Sequence, residues 1–274
     1  MAWIIGAVCA LVVALAAYWK QSLTLSGAIA AVVMGTIYYG AGNIVWFGIL
    51  LVFFISSSLL SKFHQKRKAE LEKSYAKTGR RDAGQVLANG GIGMVLCILN
   101  AIWPYPGWVY AFVGVMAGVT ADTWATEWGS LSKKPPRSVL NGRILPAGTS
   151  GGVSVLGSTA AAVGGMMIGV FAWLFQSWTG LSGQWLVYLT AYILLGLVGG
   201  LVGSFVDSFL GASVQVMYKC QICNKEVEVL EHCGQPTQYV RGLRLMNNDA
   251  VNILSSIAAA LGAWGLASLL QLGV

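Results

Sequence analysis

Ala121-Asp122-Thr123-Trp124-Ala125-Thr126-Glu127-Trp128-Gly129 closes an apolar run with two carboxylates. The basic loop Lys133-Lys134-Pro135-Pro136-Arg137 follows, and Pro146-Ala147-Gly148-Thr149-Ser150-Gly151-Gly152 then opens a second apolar run. Acids that can hold a cation, bases that can hold phosphate and a Gly-rich turn that admits an anion therefore lie close together between two candidate helices.

The surroundings give that cluster its setting. The chain has 274 residues, 56% hydrophobic and 10% charged, with a mean hydropathy of +0.68. A soluble domain carries about 25% charged residues. The composition predicts an all-α, polytopic membrane helical bundle, a single transmembrane domain over 1–274. About eight transmembrane helices are expected, at 2–19, 23–40, 44–60, 86–103, 107–123, 151–176, 185–208 and 250–272. The first has no basic residue before it, as a signal peptide would, and reads as a retained helix. Trp19, Trp103, Trp108, Trp124, Trp128, Trp178 and Trp185 fall at span ends, as an aromatic belt would place them.

The net charge of +7 sits in loops. Lys62 to Arg81, Lys133 to Arg143 and Lys219 to Arg244 hold every base except Lys20. Two spans separate each loop from the next, so all three share one side, which the positive-inside rule makes cytoplasmic, with both termini outside. Nucleic acid is not an expected partner. The setting is a bacterial-type inner membrane with the site facing the cytoplasm. The charged stretch 62–81 reads as a solvated amphipathic helix against anionic headgroups.

Of the ten acids, Asp82, Asp122, Glu127, Asp207 and Asp249 lie where spans meet that side, a costly depth that marks function. Polar neighbours follow at helical spacing: Asp82, Gln85 and Asn89; Asp122 and Thr126; Ser204, Asp207 and Ser208; Asn248, Asn252 and Ser255. Each set shares a helix face, so several spans turn polar faces toward one cytoplasmic cavity. Gly118-Val119-Thr120-Ala121-Asp122-Thr123 echoes Gly203-Ser204-Phe205-Val206-Asp207-Ser208 and pairs the two aspartates. Each is followed by a hydroxyl residue able to orient a water or a phosphate oxygen.

Such acids beside basic loops suit a Mg²⁺–phosphate site. Asp122, Glu127, Asp207 and Asp249 are the candidate catalytic acids, with helix capping or interhelical hydrogen bonding as the alternative role for each alone. Thr149 or Ser150 can cap the sixth span, and the adjacent amides can bind phosphate. Lys133, Lys134, Arg137 and Arg143 lie just upstream. In the cytoplasmic loop 211–248, Cys220, Cys223, His232 and Cys233 form a candidate structural Zn²⁺ set, with free thiols as the alternative.

The blocks Arg81-Asp82-Ala83-Gly84-Gln85-Val86-Leu87-Ala88-Asn89-Gly90-Gly91, 121–127, 148–152, 203–212 and Asn248-Asp249-Ala250-Val251-Asn252 resemble the integral membrane family that contains plant and cyanobacterial phytyl-phosphate kinase and transmembrane protein 19. A more distant similarity is to dolichol kinase and phosphatidate cytidylyltransferase, although Ala147 stands where an acid usually precedes the glycine. The resemblance implies a CTP-dependent kinase that converts a prenyl monophosphate to the diphosphate. It implies Mg²⁺ on Asp122 and Asp207, supported by Glu127 and Asp249. Nucleoside triphosphate would meet Lys133, Lys134, Arg137, Gly148, Thr149 and Ser150, and Asn89 and Asn252 would orient ligand. Membrane lipids and, in a homo-oligomer, a second copy are further partners. A lipid-phosphate cytidylyltransferase and a transporter or flippase of a phosphorylated lipid would use the same ingredients. A transporter should show helices broken near mid-membrane.

Overall fold

Every residue from Tyr110 to Ala121 is buried, and the rest of the chain is arranged around that segment. A computed structural model describes residues 1–63, 79–180 and 184–273. Its helices are Ala2–Trp19 (α1), Leu25–Ile37 (α2), Ile44–Lys62 (α3), Ala83–Ile102 (α4), Pro106–Gly129 (α5), Val155–Trp178 (α6), Trp185–Ser213 (α7) and Asn248–Leu269 (α8). A helix apolar on all sides belongs inside a protein, and α5 packs against α3, α4, α6, α7 and α8. The expected helix over 62–81 lies largely outside the described residues.

The eight expected spans thus correspond to helices among the described residues. Seven are long and apolar enough to cross a membrane, α2 with the help of a π-turn at Tyr38–Gly42. The exception is α5, which has the length but carries Thr120, Asp122, Thr123, Thr126 and Glu127. Its neighbours are helices, so it has less need of lipophilic residues. It also runs on to Gly129 instead of stopping near 123, while α6 begins at Val155 and not at 151.

Helices alternate in direction, and contacts between their ends define one polar pole. Lys62 Nζ donates to the Lys20 carbonyl, Leu23 bridges to Arg81, and Ser61 Oγ donates to Glu127 Oε1 at 2.6 Å. At the opposite pole Tyr110 donates to the Leu272 carbonyl at 3.0 Å. The described parts of the three basic loops all lie at the first pole. Trp19, Trp103, Trp178 and Trp185 are exposed near helix ends, as a belt requires. Trp124 is not a belt residue: its ring lies against Gly164 of α6, and its indole N–H is buried.

Glycine brings the central helices together. A Cβ on Gly196 of α7 would sit 2.2 Å from the Gly165 carbonyl of α6. A Cβ on Gly203 of α7 would sit 2.6 Å from Gly118 Cα on α5. Membrane helices gain little from burying apolar surface against each other, so close backbone contact through small residues supplies van der Waals attraction instead.

Two loops at the polar pole carry short strands. Before α6, Arg137–Ser138 (β1) pairs antiparallel with Gly152–Val153 (β2). The expected loop 211–248 is shorter, since α7 runs to Ser213 and α8 begins at Asn248, and residues 214–247 between them carry a folded β-ribbon. Strands Met217–Lys219 (β3), Glu226–Val227 (β4) and Gln238–Arg241 (β7) pair antiparallel in the order β4-β3-β7, and Glu231–His232 (β5) pairs with Gln235–Pro236 (β6).

Candidate functional site

The contact between Gly118 and Gly203 explains the echo in the sequence. Both α5 and α7 run toward the polar pole, so they cross there in parallel. One turn further on, about 6 Å along each axis, they present Asp122 and Asp207. Asp207 interacts electrostatically with Asp122 and then with Glu228, and Asp122 likewise with Glu228. Ser255 Oγ of α8 donates to Asp207 Oδ2 at 3.4 Å.

Asp122, Asp207 and Glu228 face a cavity of about 500 Å³ at the polar pole. Of the expected site residues, Asp122, Glu127, Asp207, Asn89, Lys133, Lys134, Gly148, Thr149, Ser150 and Asn252 line it. Asp249 and Arg137 do not. Asn248 and Asn252 occupy one face of α8, which places Asp249 about 100° round the helix, in its first turn. Arg137 is exposed on β1 and donates to the Gly142 carbonyl at 3.0 Å. Asp82 leaves the polar stripe and caps α4, accepting from the Gln85 amide at 2.9 Å in a reciprocal capping box. Gln85 and Asn89 from the same stripe line the cavity.

The turn 148–152 also differs from expectation. Neither Thr149 nor Ser150 caps α6; Ser154 does, accepting from the Gly157 amide at 3.1 Å. The turn instead runs into β2 and presses on the end of α7, where a Cβ on Gly151 (φ +82°) would lie 2.3 Å from Ala212 Cβ. The α6 N-terminus still opens on the cavity, since Ser154, Gly157 and Ser158 line it. Amides and dipole there favour an anion. The Thr123 hydroxyl donates to the Val119 carbonyl at 2.9 Å, so its proton is engaged within the helix.

Two lining groups, Glu228 and Gln215, were not legible as site residues. Glu228 arrives from the β-ribbon, held by Gln215 Nε2 at 2.9 Å, while Ser150 Oγ donates to Gln215 Oε1 at 3.0 Å. Arg81 is buried beneath the cavity, donates to Ser58 Oγ at 3.0 Å and stacks over Phe53 and Phe54. Burial lowers its pKa to about 10 while nearby Glu127 opposes that shift, so it stays charged at neutral pH. Arg81, Gln85 and Asn89 also border a second, apolar slot of about 60 Å³ between α1, α2, α3 and α4, lined by Ala14, Met34, Phe47 and Phe53.

Fold and cavity define a polytopic integral membrane protein with a large polar site at one end of its helical bundle. The chain belongs to the family described as integral membrane protein DUF92, whose model matches residues 8–260. It is similar to protein PGR of Arabidopsis thaliana, 31% identical over 264 residues, or 89% of this chain and 88% of that one. An uncharacterized membrane protein of Methanocaldococcus jannaschii is 31% identical over 156 residues, 57% of this chain and 63% of its own. The chloroplastic protein VTE6 of Arabidopsis thaliana is 25% identical over 144 residues, 50% of this chain and 43% of its own. No solved structure matches the chain.

Proposed function

We propose that the protein is a prenyl-phosphate kinase: it transfers the γ-phosphoryl group of a nucleoside triphosphate, CTP by family resemblance, to a prenyl monophosphate. An oxygen of the lipid phosphate bonds to the γ-phosphorus, the bond from that phosphorus to the β–γ bridging oxygen breaks, and prenyl diphosphate and nucleoside diphosphate leave. One observation carries the reading: Arg81, Gln85 and Asn89 line both the polar cavity and the apolar slot. A polar and an apolar space lined by the same three residues suit a ligand with a charged head and an apolar chain.

The residues divide accordingly. Arg81 and Gln85 receive the lipid phosphate, with Asn89 and Asn252 orienting it. The slot has room for only the first carbons of the chain, and the remainder lies in the bilayer. Lys133 and Lys134 at the rim, with Thr149, Ser150 and the α6 N-terminus, hold the nucleotide phosphates. Asp122, Asp207 and Glu228 are like charges in one cavity, an arrangement that favours a cation among them. An all-oxygen donor set suits Mg²⁺, which would be held by Asp122 and Asp207 and would offset charge on the transferring phosphoryl group. Glu127, bonded to Ser61, stays beside Arg81 as its counter-charge. The pole carrying this site faces the cytoplasm, by its basic loops.

The helices that supply these acids run unbroken past mid-bundle, which supports an enzyme over a transporter. The test is product analysis with purified protein, prenyl monophosphate and CTP labelled at either phosphate. Label from the γ-position on the lipid is expected. Label from the α-position on the lipid means a cytidylyltransferase, and lipid binding without turnover means transport; either outcome overturns the proposal.

A further inference from the structure

The β-ribbon holds a second cluster, away from the helices that supply Asp122 and Asp207. Cys220, Cys223, His232 and Cys233 bring their donor atoms within 4.8 Å of one another. His232 Nδ1 lies 3.5 Å from Cys223 Sγ and 3.2 Å from Cys233 Sγ. With Zn–S about 2.3 Å and Zn–N about 2.0 Å, tetrahedral ligands sit roughly 3.5–3.8 Å apart. The cluster is therefore close to that spacing before any ion contracts it. All of these cysteines are free thiols.

Two turns aim the ligands. Cys220 directly follows β3, its amide donates to the Lys225 carbonyl at 3.0 Å, and the Asn224 amide returns to the Cys220 carbonyl at 3.0 Å, with Asn224 at φ +58°. Cys223 is carried inside that turn. On the facing hairpin, Cys233 (φ +54°) and Gly234 (φ +70°) are the turn residues between β5 and β6. A two-residue turn with both φ values positive prefers Asn-Gly, and a cysteine there is disfavoured. Its sulfur, close to the imidazole of His232, gives a reason for that choice.

We propose that these four groups bind one Zn²⁺ in a closed, four-coordinate structural site, and that the ion locks the β-ribbon in the conformation that delivers Glu228 to the cavity. The path is short. Cys223 lies just before β4, β4 ends at the buried Val227, and the next residue is Glu228, bonded to Gln215. Gln215 in turn accepts from Ser150 on the turn before α6. The metal joins the ribbon's two turns, the one closed by Cys220 and Lys225 and the hairpin between β5 and β6. Only the final link, from Glu228 to phosphoryl transfer, rests on the proposed function.

The experiment uses the full chain in detergent and needs no substrate, so its outcome is separate from that of the kinase reading. Elemental analysis should give about one zinc per chain, and Cys223→Ser/Cys233→Ser protein should retain less than about a tenth of that. If that variant does not fold, chelator-stripped wild-type protein titrated with Co²⁺ should give the intense visible absorption of a tetrahedral thiolate site, displaced by Zn²⁺. Trypsin should cut at Lys225 about tenfold faster or more after stripping, because a bound ion stabilises the closed ribbon by mass action. Zinc-free wild-type protein without the cobalt spectrum, or equal zinc in the cysteine variant, overturns the site. Bound zinc with unchanged cleavage at Lys225 overturns the lock.

Discussion

Gly203→Ala tests whether the crossing of α5 and α7 sets the site. The added methyl would lie 2.6 Å from Gly118 Cα and 3.2 Å from Ala259 Cβ, whereas ordinary contact begins near 3.4 Å. The nearest atom is backbone and cannot rotate away, so the helices must part by about 1 Å in a close-packed interior. Overpacking of this kind costs about 1–3 kcal/mol, and the better helix propensity of alanine returns about 1 kcal/mol, so the bundle should still fold. The carboxylates one turn beyond the crossing move apart with it. A misplacement of about 1 Å between catalytic groups can lower a rate about 100-fold. Phosphoryl transfer by detergent-purified, monodisperse protein is the assay, with Gly265→Ala as control, because a Cβ there meets nothing within 4 Å. The control should keep full turnover. Wild-type turnover in folded Gly203→Ala protein would refute the reasoning, since the spacing of Asp122 and Asp207 would then not depend on that contact.

Arg81→Gln removes a buried charge that donates to Ser58 and lines both slot and cavity. A hydrogen bond to a charged group contributes about 1.5–3 kcal/mol, so KM for the lipid phosphate should rise roughly 10–100-fold with little change in KM for nucleotide; an equal rise in both would count against the assignment. Because burial lowers the Arg81 pKa, the unfolded chain binds that proton more tightly, and Arg81's contribution to stability should be flat below about pH 9 and rise with pH above it. Denaturant titrations across that range check this. Asp249→Asn should leave turnover within about threefold of wild type, because Asp249 does not line the cavity; a loss of about 100-fold would return it to the site. Cysteines introduced at Ser74 and Ser138 should be labelled from the same side of the membrane by an impermeant reagent, and labelling from opposite sides would break the topology.

Much of the site was legible because helices repeat. Asp122, Asp207, Asn89 and Asn252 declare their faces by spacing alone, and the Gly-x-x-x-Asp echo turned out to mark a helix crossing. The same periodicity does not tell a capping aspartate from one that lines the cavity: Asp82 sits in the right stripe but serves the Gln85 amide. Depth groups Asp249 with the other acids, whereas helical spacing puts it about 100° from the face that Asn248 and Asn252 share. Glu228 was hidden for another reason. It lies beside a short strand with no periodic pattern, and its place is set by tertiary contacts through Gln215 and Ser150. The central position of α5 did leave a trace, since Thr120, Asp122, Thr123, Thr126 and Glu127 make it less apolar than the other spans, as helix neighbours allow. The cap at Ser154 was hidden because the sixth span reads as starting at 151, whereas Gly152–Val153 pairs with Arg137–Ser138 and delays the start of α6 beyond Thr149 and Ser150.

The most direct measurement is prenyl-phosphate kinase turnover in Asp122→Asn and Asp207→Asn proteins, alone and together, using nucleotide labelled at the γ-phosphate. Asparagine keeps the shape of each side chain and removes the charge that would balance magnesium. Each single change should lower the rate on the order of 10²–10⁴-fold. The double variant should be barely worse than either single one, because groups that act as a unit are not additive. Near-normal transfer of label to the lipid by either folded single variant would contradict a site built on the pair.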